Sequence, residues 1–256
     1  MPIPFSRRSL ISATVAALLS GAIVLPVTSS AQSGTANVRA WHASPDAPAV
    51  DVYVDGQRAI ANLAFGHVSP YAAVPAGERR IQVFAAGANP ASATAVIDAR
   101  VSPMPGRNYS VIATGPVAEI APIVVEDAIS PPGQGKTKVR VLHLSPDAPP
   151  VDIAVTGGPV LVRNLAFRDV TPYLELDAGT YNLEVRVAGT NQVALALPNT
   201  RLQAGDVLSV AAIGFLTTTP IRAQVAVDAR FPQPVEPGSD PQSIIARILA
   251  AAARSR

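Results

Sequence analysis

Apolar and polar residues alternate with period two along much of this chain. Val50, Val52 and Val54 are interleaved with Asp51, Tyr53 and Asp55, which places the valines on one face of a strand and the other three on the opposite face. Residues 79–84, 94–101 and 109–114 read as further strands. Asp55-Gly56 and Ala76-Gly77 mark tight turns, since glycine reaches positive φ without a steric penalty. Such turn signals recur about every eight to twelve positions, the punctuation of an antiparallel β domain.

The pattern is written twice. "HASPDAPAVD" begins at His42 and "HLSPDAPPVD" at His143, 101 positions later. Around them Val38-Arg39 matches Val139-Arg140, and Asn62-Leu63-Ala64-Phe65 matches Asn164-Leu165-Ala166-Phe167. Ser69-Pro70-Tyr71 matches Thr171-Pro172-Tyr173, and Ser110-Val111 matches Ser209-Val210. A period near a hundred residues is too long for a solenoid unit and suits a complete small domain. The chain is therefore predicted to be all-β, with two tandem antiparallel β-sandwich (Ig-like) domains at 36–128 and 137–230. A Pro/Gly linker over 129–136 joins them.

The ends differ in character. Residues 1–31 carry Arg7-Arg8, an uncharged apolar run from Leu10 to Val27, and Ser29-Ser30-Ala31 before Gln32. This is the layout of a signal peptide cut after Ala31. Ser6-Arg7-Arg8-Ser9-Leu10-Ile11 fits a twin-arginine signal and an ordinary Sec signal alike. The rest of the chain is expected to be secreted or periplasmic, with no integral membrane span once the signal is removed. Residues 231–256 read as a proline-rich segment and a short amphipathic helix, capped at Asp240-Pro241 and apolar at Ile244, Ile245, Ile248 and Leu249.

Charge and cysteine content narrow the chemistry. Without Arg7 and Arg8 the chain holds 18 basic and 18 acidic side chains, so no basic stripe is left for nucleic acid. Lys136, Lys138 and Arg140 form a small basic cluster that reads as a solvated hinge. The absence of cysteine removes thiol catalysis and thiolate metal sites, and leaves stability to packed cores.

The run V-R-x-x-H-x-S-P-D-A-P-x-V-D-V-Y-V-D-G, followed by N-L-A-F-G, S-P-Y and P-A-G, resembles the bacterial domain of unknown function 4397 family. The resemblance covers both repeats. It implies an exported or cell-surface β-rich module, often in tandem, and brings no activity, substrate or catalytic residue with it. The second copy departs at Ala154, Thr156 and Gly158, where the first has Tyr53, Asp55 and Gln57.

Three chemistries compete for the repeated run. His42, Asp46 and Asp51, with His143, Asp147 and Asp152, offer one imidazole and two carboxylates per copy. A metal-dependent hydrolase could use them, although zinc sites usually hold more histidines. Ser44 beside His42 allows a Ser-His-Asp grouping to be drawn, but it lacks the G-x-S-x-G elbow. The third reading is structural: His42 follows Val38 and Ala40 on the core side of its strand, where a His–Asp or His–backbone clasp would pin the turn. Trp41 and Tyr53 are candidates for a sugar platform in the first copy only. No cofactor or metal is assigned. The function expected is a non-enzymatic binding or structural module, with an envelope polysaccharide or protein as candidate partner.

Overall fold

A computed structural model describes residues 34–218 and 220–233. The signal segment and the C-terminal helix expected from the sequence lie outside the described residues. The chain is two β-sandwiches of the same topology. The first holds β1 (Thr35–Ala43), β2 (Val50–Val54), β3 (Gln57–Leu63), β4 (Ala72–Pro75), β5 (Arg79–Ala85), β6 (Ile97–Val101), β7 (Asn108–Thr114) and β8 (Ala121–Glu126). The second holds β9 (Lys136–His143), β10 (Val151–Val155), β11 (Val160–Leu165), β12 (Leu174–Asp177), β13 (Gly179–Val187), β14 (Val193–Leu202), β15 (Asp206–Ile213) and β16 (Arg222–Arg230). The sheet orders β4-β1-β7-β8 and β3-β2-β5-β6 recur as β12-β9-β15-β16 and β11-β10-β13-β14. All pairings are antiparallel except β1 with β7 and β9 with β15. Among the described residues, no helix is long and apolar enough to cross a membrane.

Alternation places the first core as expected. Ala40, Val50, Val52, Ile81 and Val83 pack between the two sheets of the first sandwich. Residues on the opposite face of β1 are buried as well. Trp41 and Ala43 join Ile112, Leu142, Leu144, Ala211 and Ile213 in a cluster shared by both sandwiches, which belong to one compact unit. β1 and β9 are thus covered on both faces: residues 39–43 are buried without a break and β9 has no exposed position, while the outer strands β4, β8 and β12 keep exposed ones.

This interface overturns the solvated-hinge reading of the basic cluster. Arg140 is 2% exposed, and its guanidinium bonds Asp127 of the first sandwich. Lys136 pairs with Asp177 and Lys138 donates to Ser130. A buried guanidinium needs a carboxylate, and the neighbouring domain supplies it.

Side chains also cross at the rim of the interface. Arg222 lies over the Phe65 ring at 5.2 Å, so close to Gly66 that a Cβ there would meet its Nη2 at 2.4 Å. The matching position in the second copy is Arg168, at φ 71. This left-handed conformation costs an arginine roughly 1 kcal/mol, and Arg168 reaches back to the carbonyls of Thr114 and Glu119.

Candidate functional site

The repeated run lies at one end of each sandwich, where β1 or β9 leaves the sheet. His42 is fully buried. Its Nδ1 accepts the Ser44 amide at 3.3 Å, which places the ring proton on Nε2, and Nε2 donates to the Pro48 carbonyl at 2.9 Å. In the second copy Nδ1 of His143 accepts the Ser145 amide and Nε2 donates to Pro149 at 3.1 Å. Both nitrogens of each ring are thereby used, and each imidazole bridges the two ends of its own Ser-Pro-Asp-Ala-Pro turn. Neither histidine is oriented by an aspartate.

The serines are not poised for attack. Ser44 Oγ donates to the Gly115 carbonyl at 2.6 Å and Ser145 Oγ to Gly214 at 2.7 Å. A hydroxyl held on a buried carbonyl, with no bond to the imidazole, lacks the nucleophile–base contact that acyl transfer requires.

The aspartates serve backbone amides. Asp46 accepts the Val117 amide at 2.8 Å, and Asp147 accepts Leu216 at 2.6 Å and Thr217 at 3.2 Å. Both tie the turn to the connection that follows β7 or β15. Asp51 accepts the Asn62 amide at 2.8 Å and the Gly87 amide at 3.2 Å. Asp152 takes Asn164 at 2.7 Å and Gly189 at 3.1 Å. Asn62 and Asn164 have φ 53 and φ 50 beside the register shifts of the β2–β3 and β10–β11 ladders. A bulge frees an amide from its ladder, and the buried carboxylate satisfies it. The Asn62 amide above all, then that of Gly87 and the Arg58 charge, hold the Asp51 carboxyl below its usual range.

The six residues of the run therefore do not converge. Among the described residues, no three His, Cys, Asp or Glu side chains are grouped to hold a metal ion, and the imidazole nitrogens that a metal would need are occupied. The sugar platform is corrected too. Trp41 is 1% exposed and faces the second sandwich, while Tyr53 packs edge-on against Phe84 at 5.4 Å. The two rings form no joint exposed surface.

The polar centre that sequence reasoning missed sits between the sandwiches. Arg39 Nη2 bonds Asp228 Oδ1 at 2.5 Å, reciprocating the Arg140–Asp127 pair. Each aspartate also accepts bonds from its own domain: Tyr71 and Ser110 on Asp127, Tyr173 and Ser209 on Asp228. Arg39 Nε and Arg140 Nε close the set on Ser110 and Ser209, each at 2.7 Å. Two guanidinium and two carboxylate groups thus form one buried network of no net charge, related by the internal repeat. The signal was present in the sequence, because Asp127-Ala128 and Asp228-Ala229 match at the ends of the two copies.

The family model for Domain of unknown function (DUF4397) matches residues 36–154 and 141–237. The chain belongs to the DUF4397 family. No curated protein matches the chain. Each DUF4397 repeat here spends its signature residues on the same four ties, from His to the turn, Ser and the first Asp to the next connection, and the second Asp to the bulge.

Burial lowers the pKa of His42 and of His143, so both rings are neutral in the fold. The unfolded chain, with imidazoles near 6.5, then binds more protons below that pH. Stability is expected to fall as pH drops from about 6.5, by up to roughly 1.4 kcal/mol per pH unit for each histidine. Urea denaturation of the wild type and of His42→Gln/His143→Gln between pH 7.5 and 5 checks this. Parallel pH profiles would refute it.

Proposed function

We propose that this protein is an exported, non-enzymatic binding or structural module that presents a rigid pair of sandwiches outside the cytoplasm. The observation carrying the proposal is that each His-Ser-Pro-Asp signature is consumed by structural hydrogen bonds, identically in both copies. What one copy devotes to holding a turn the other devotes to the same end, which leaves neither set of side chains for chemistry. An envelope polysaccharide or protein is the partner class in keeping with the signal-like residues 1–31.

His42→Ala and His143→Ala are each expected to cost about 2–3 kcal/mol, because each leaves an emptied buried volume and an unpaired turn carbonyl. Elemental analysis after desalting is expected to find no stoichiometric zinc or calcium, and the exported chain should begin at Gln32 by mass spectrometry. Bound metal at one equivalent, or hydrolytic activity lost in His42→Ala at unchanged melting temperature, would overturn the non-enzymatic reading.

A further inference from the structure

The two sandwiches share a topology but not a packed interior. In the first, β6 runs against β8 and closes one long edge; Ile97, Ala99 and Val101 of β6 pack with Ile120 onto a single core. In the second, the corresponding strands β14 and β16 approach each other less closely. The core there is divided into one cluster around Val151, Ile153 and Val185 and another around Val139, Leu202 and Leu208. Between them is an apolar cavity of about 210 Å³.

The interior of the first sandwich instead holds a void of about 20 Å³. A recess of about 200 Å³ around Val38, Tyr109, Val111 and Val124 lies at the positions that match Val139, Leu208, Val210 and Val225 of the larger cavity, but Arg100, Ser102 and Pro103 share its lining. Tyr109 corresponds to Leu208, and its hydroxyl is fixed on the Met104 amide, so one aromatic ring in the first copy stands where the second has a smaller side chain.

The lining states what the cavity can hold. Val141, Ile153, Leu183, Leu197 and Val210 form its walls. The Thr200 hydroxyl, also in the lining, is already bonded to the Leu197 carbonyl at 3.0 Å. The one charged side chain of the lining, Arg201, is exposed at the rim, so a charged or strongly polar group in the interior would lose its hydration without replacement. Val225 of β16 lines the cavity and is 52% exposed, which places the mouth beside β16. The space exceeds the roughly 150 Å³ apolar cavity that takes up benzene in another protein.

We infer that the second sandwich binds an uncharged hydrocarbon group between its sheets, entering beside β16. The inference deepens the binding half of the function proposed above and rests on it. Two sources share this chemistry, a free small apolar molecule and the chain of a lipid.

The test is titration of the exported protein with N-phenyl-1-naphthylamine, a neutral fluorescent probe. Saturable enhancement at one site per chain is expected, with at least tenfold weaker binding in Val210→Phe. Ala223→Leu, a smaller plug at the mouth, serves as the second filled variant should Val210→Phe fail to fold. Displacement by toluene or octanol in free solution identifies a small-molecule site. Displacement by phosphatidylethanolamine vesicles alone identifies a lipid chain.

No saturable enhancement, or undiminished affinity in the folded filled variants, overturns the inference. So does enhancement seen only with Ile244→Asp/Ile248→Asp, which would assign the cavity to this chain's own tail. Each of these failures leaves the histidine variants and metal analysis unaffected, so the two readings fail separately.

Discussion

Replacing Arg39 with methionine is expected to destabilise the chain by about 3–5 kcal/mol, the cost of leaving a buried carboxylate without its partner. Asp228 would keep Tyr173 and Ser209 as donors but lose the positive charge bonded to it at 2.5 Å. Arg140→Met should cost less, because Asp127 keeps the Arg39 Nε at 3.6 Å while Asp228 has Arg39 alone as its ion-pair partner. The informative variant is the double one. In Arg39→Met/Asp228→Asn the amide oxygen still accepts from the tyrosine and serine while the uncompensated charge is gone, and much of the loss should return. Since the partners belong to different repeats, a coupling of about 2 kcal/mol or more in the double-mutant cycle measures docking of the sandwiches directly. Costs that simply add, within about 0.5 kcal/mol, would mean the sandwiches are not held together through this pair. Buried charges are screened little by salt, so the coupling should persist at high ionic strength.

The same residues show why the fold was legible and the interface was not. Period-two alternation put Val38, Ala40 and His42 toward a core, and the internal repeat supplied the domain count. Alternation describes only one face of a strand. On the other face of β1 stand Arg39, Trp41 and Ala43, and an arginine there reads as solvent while a tryptophan reads as a platform. The two-sided burial was visible only in the comparison of copies, where Trp41-His42-Ala43 meets Leu142-His143-Leu144 with apolar residues on both faces. The ties of the candidate site were half legible. A buried histidine needing a partner follows from the pattern, but its partner is a carbonyl six residues on, at Pro48 or Pro149. Of the His–Asp and His–backbone clasps the pattern allowed, the backbone one forms, and because backbone groups carry no sequence signature its particular carbonyl could not be named. The cavity was hidden for a different reason: its walls come from strands far apart in the chain, among them β9, β13, β14 and β16, and how fully they fill the space between them is encoded in no local spacing.

Trp41→Ala is expected to cost about 3–5 kcal/mol, and the loss should appear as weakened association of the sandwiches. The indole is 1% exposed and packs in the shared cluster with Leu142, Leu144 and Ile213. Its Nε1–H has no hydrogen-bond partner among the described residues, a deficit of about 1–3 kcal/mol carried by the fold. Trp41→Phe removes that donor together with part of the ring, so the gain offsets the lost volume and its net cost should be at least 2 kcal/mol below that of alanine. Circular dichroism in urea ranks the two. Because Trp41 is the single tryptophan of the chain, wild-type fluorescence reports on this interface alone. If the sandwiches are one cooperative unit, the red shift of its emission and the loss of β signal share a midpoint. A red shift that precedes the loss of β structure would show the domains parting while each is still folded, and the shared cluster would then be a contact between independent domains.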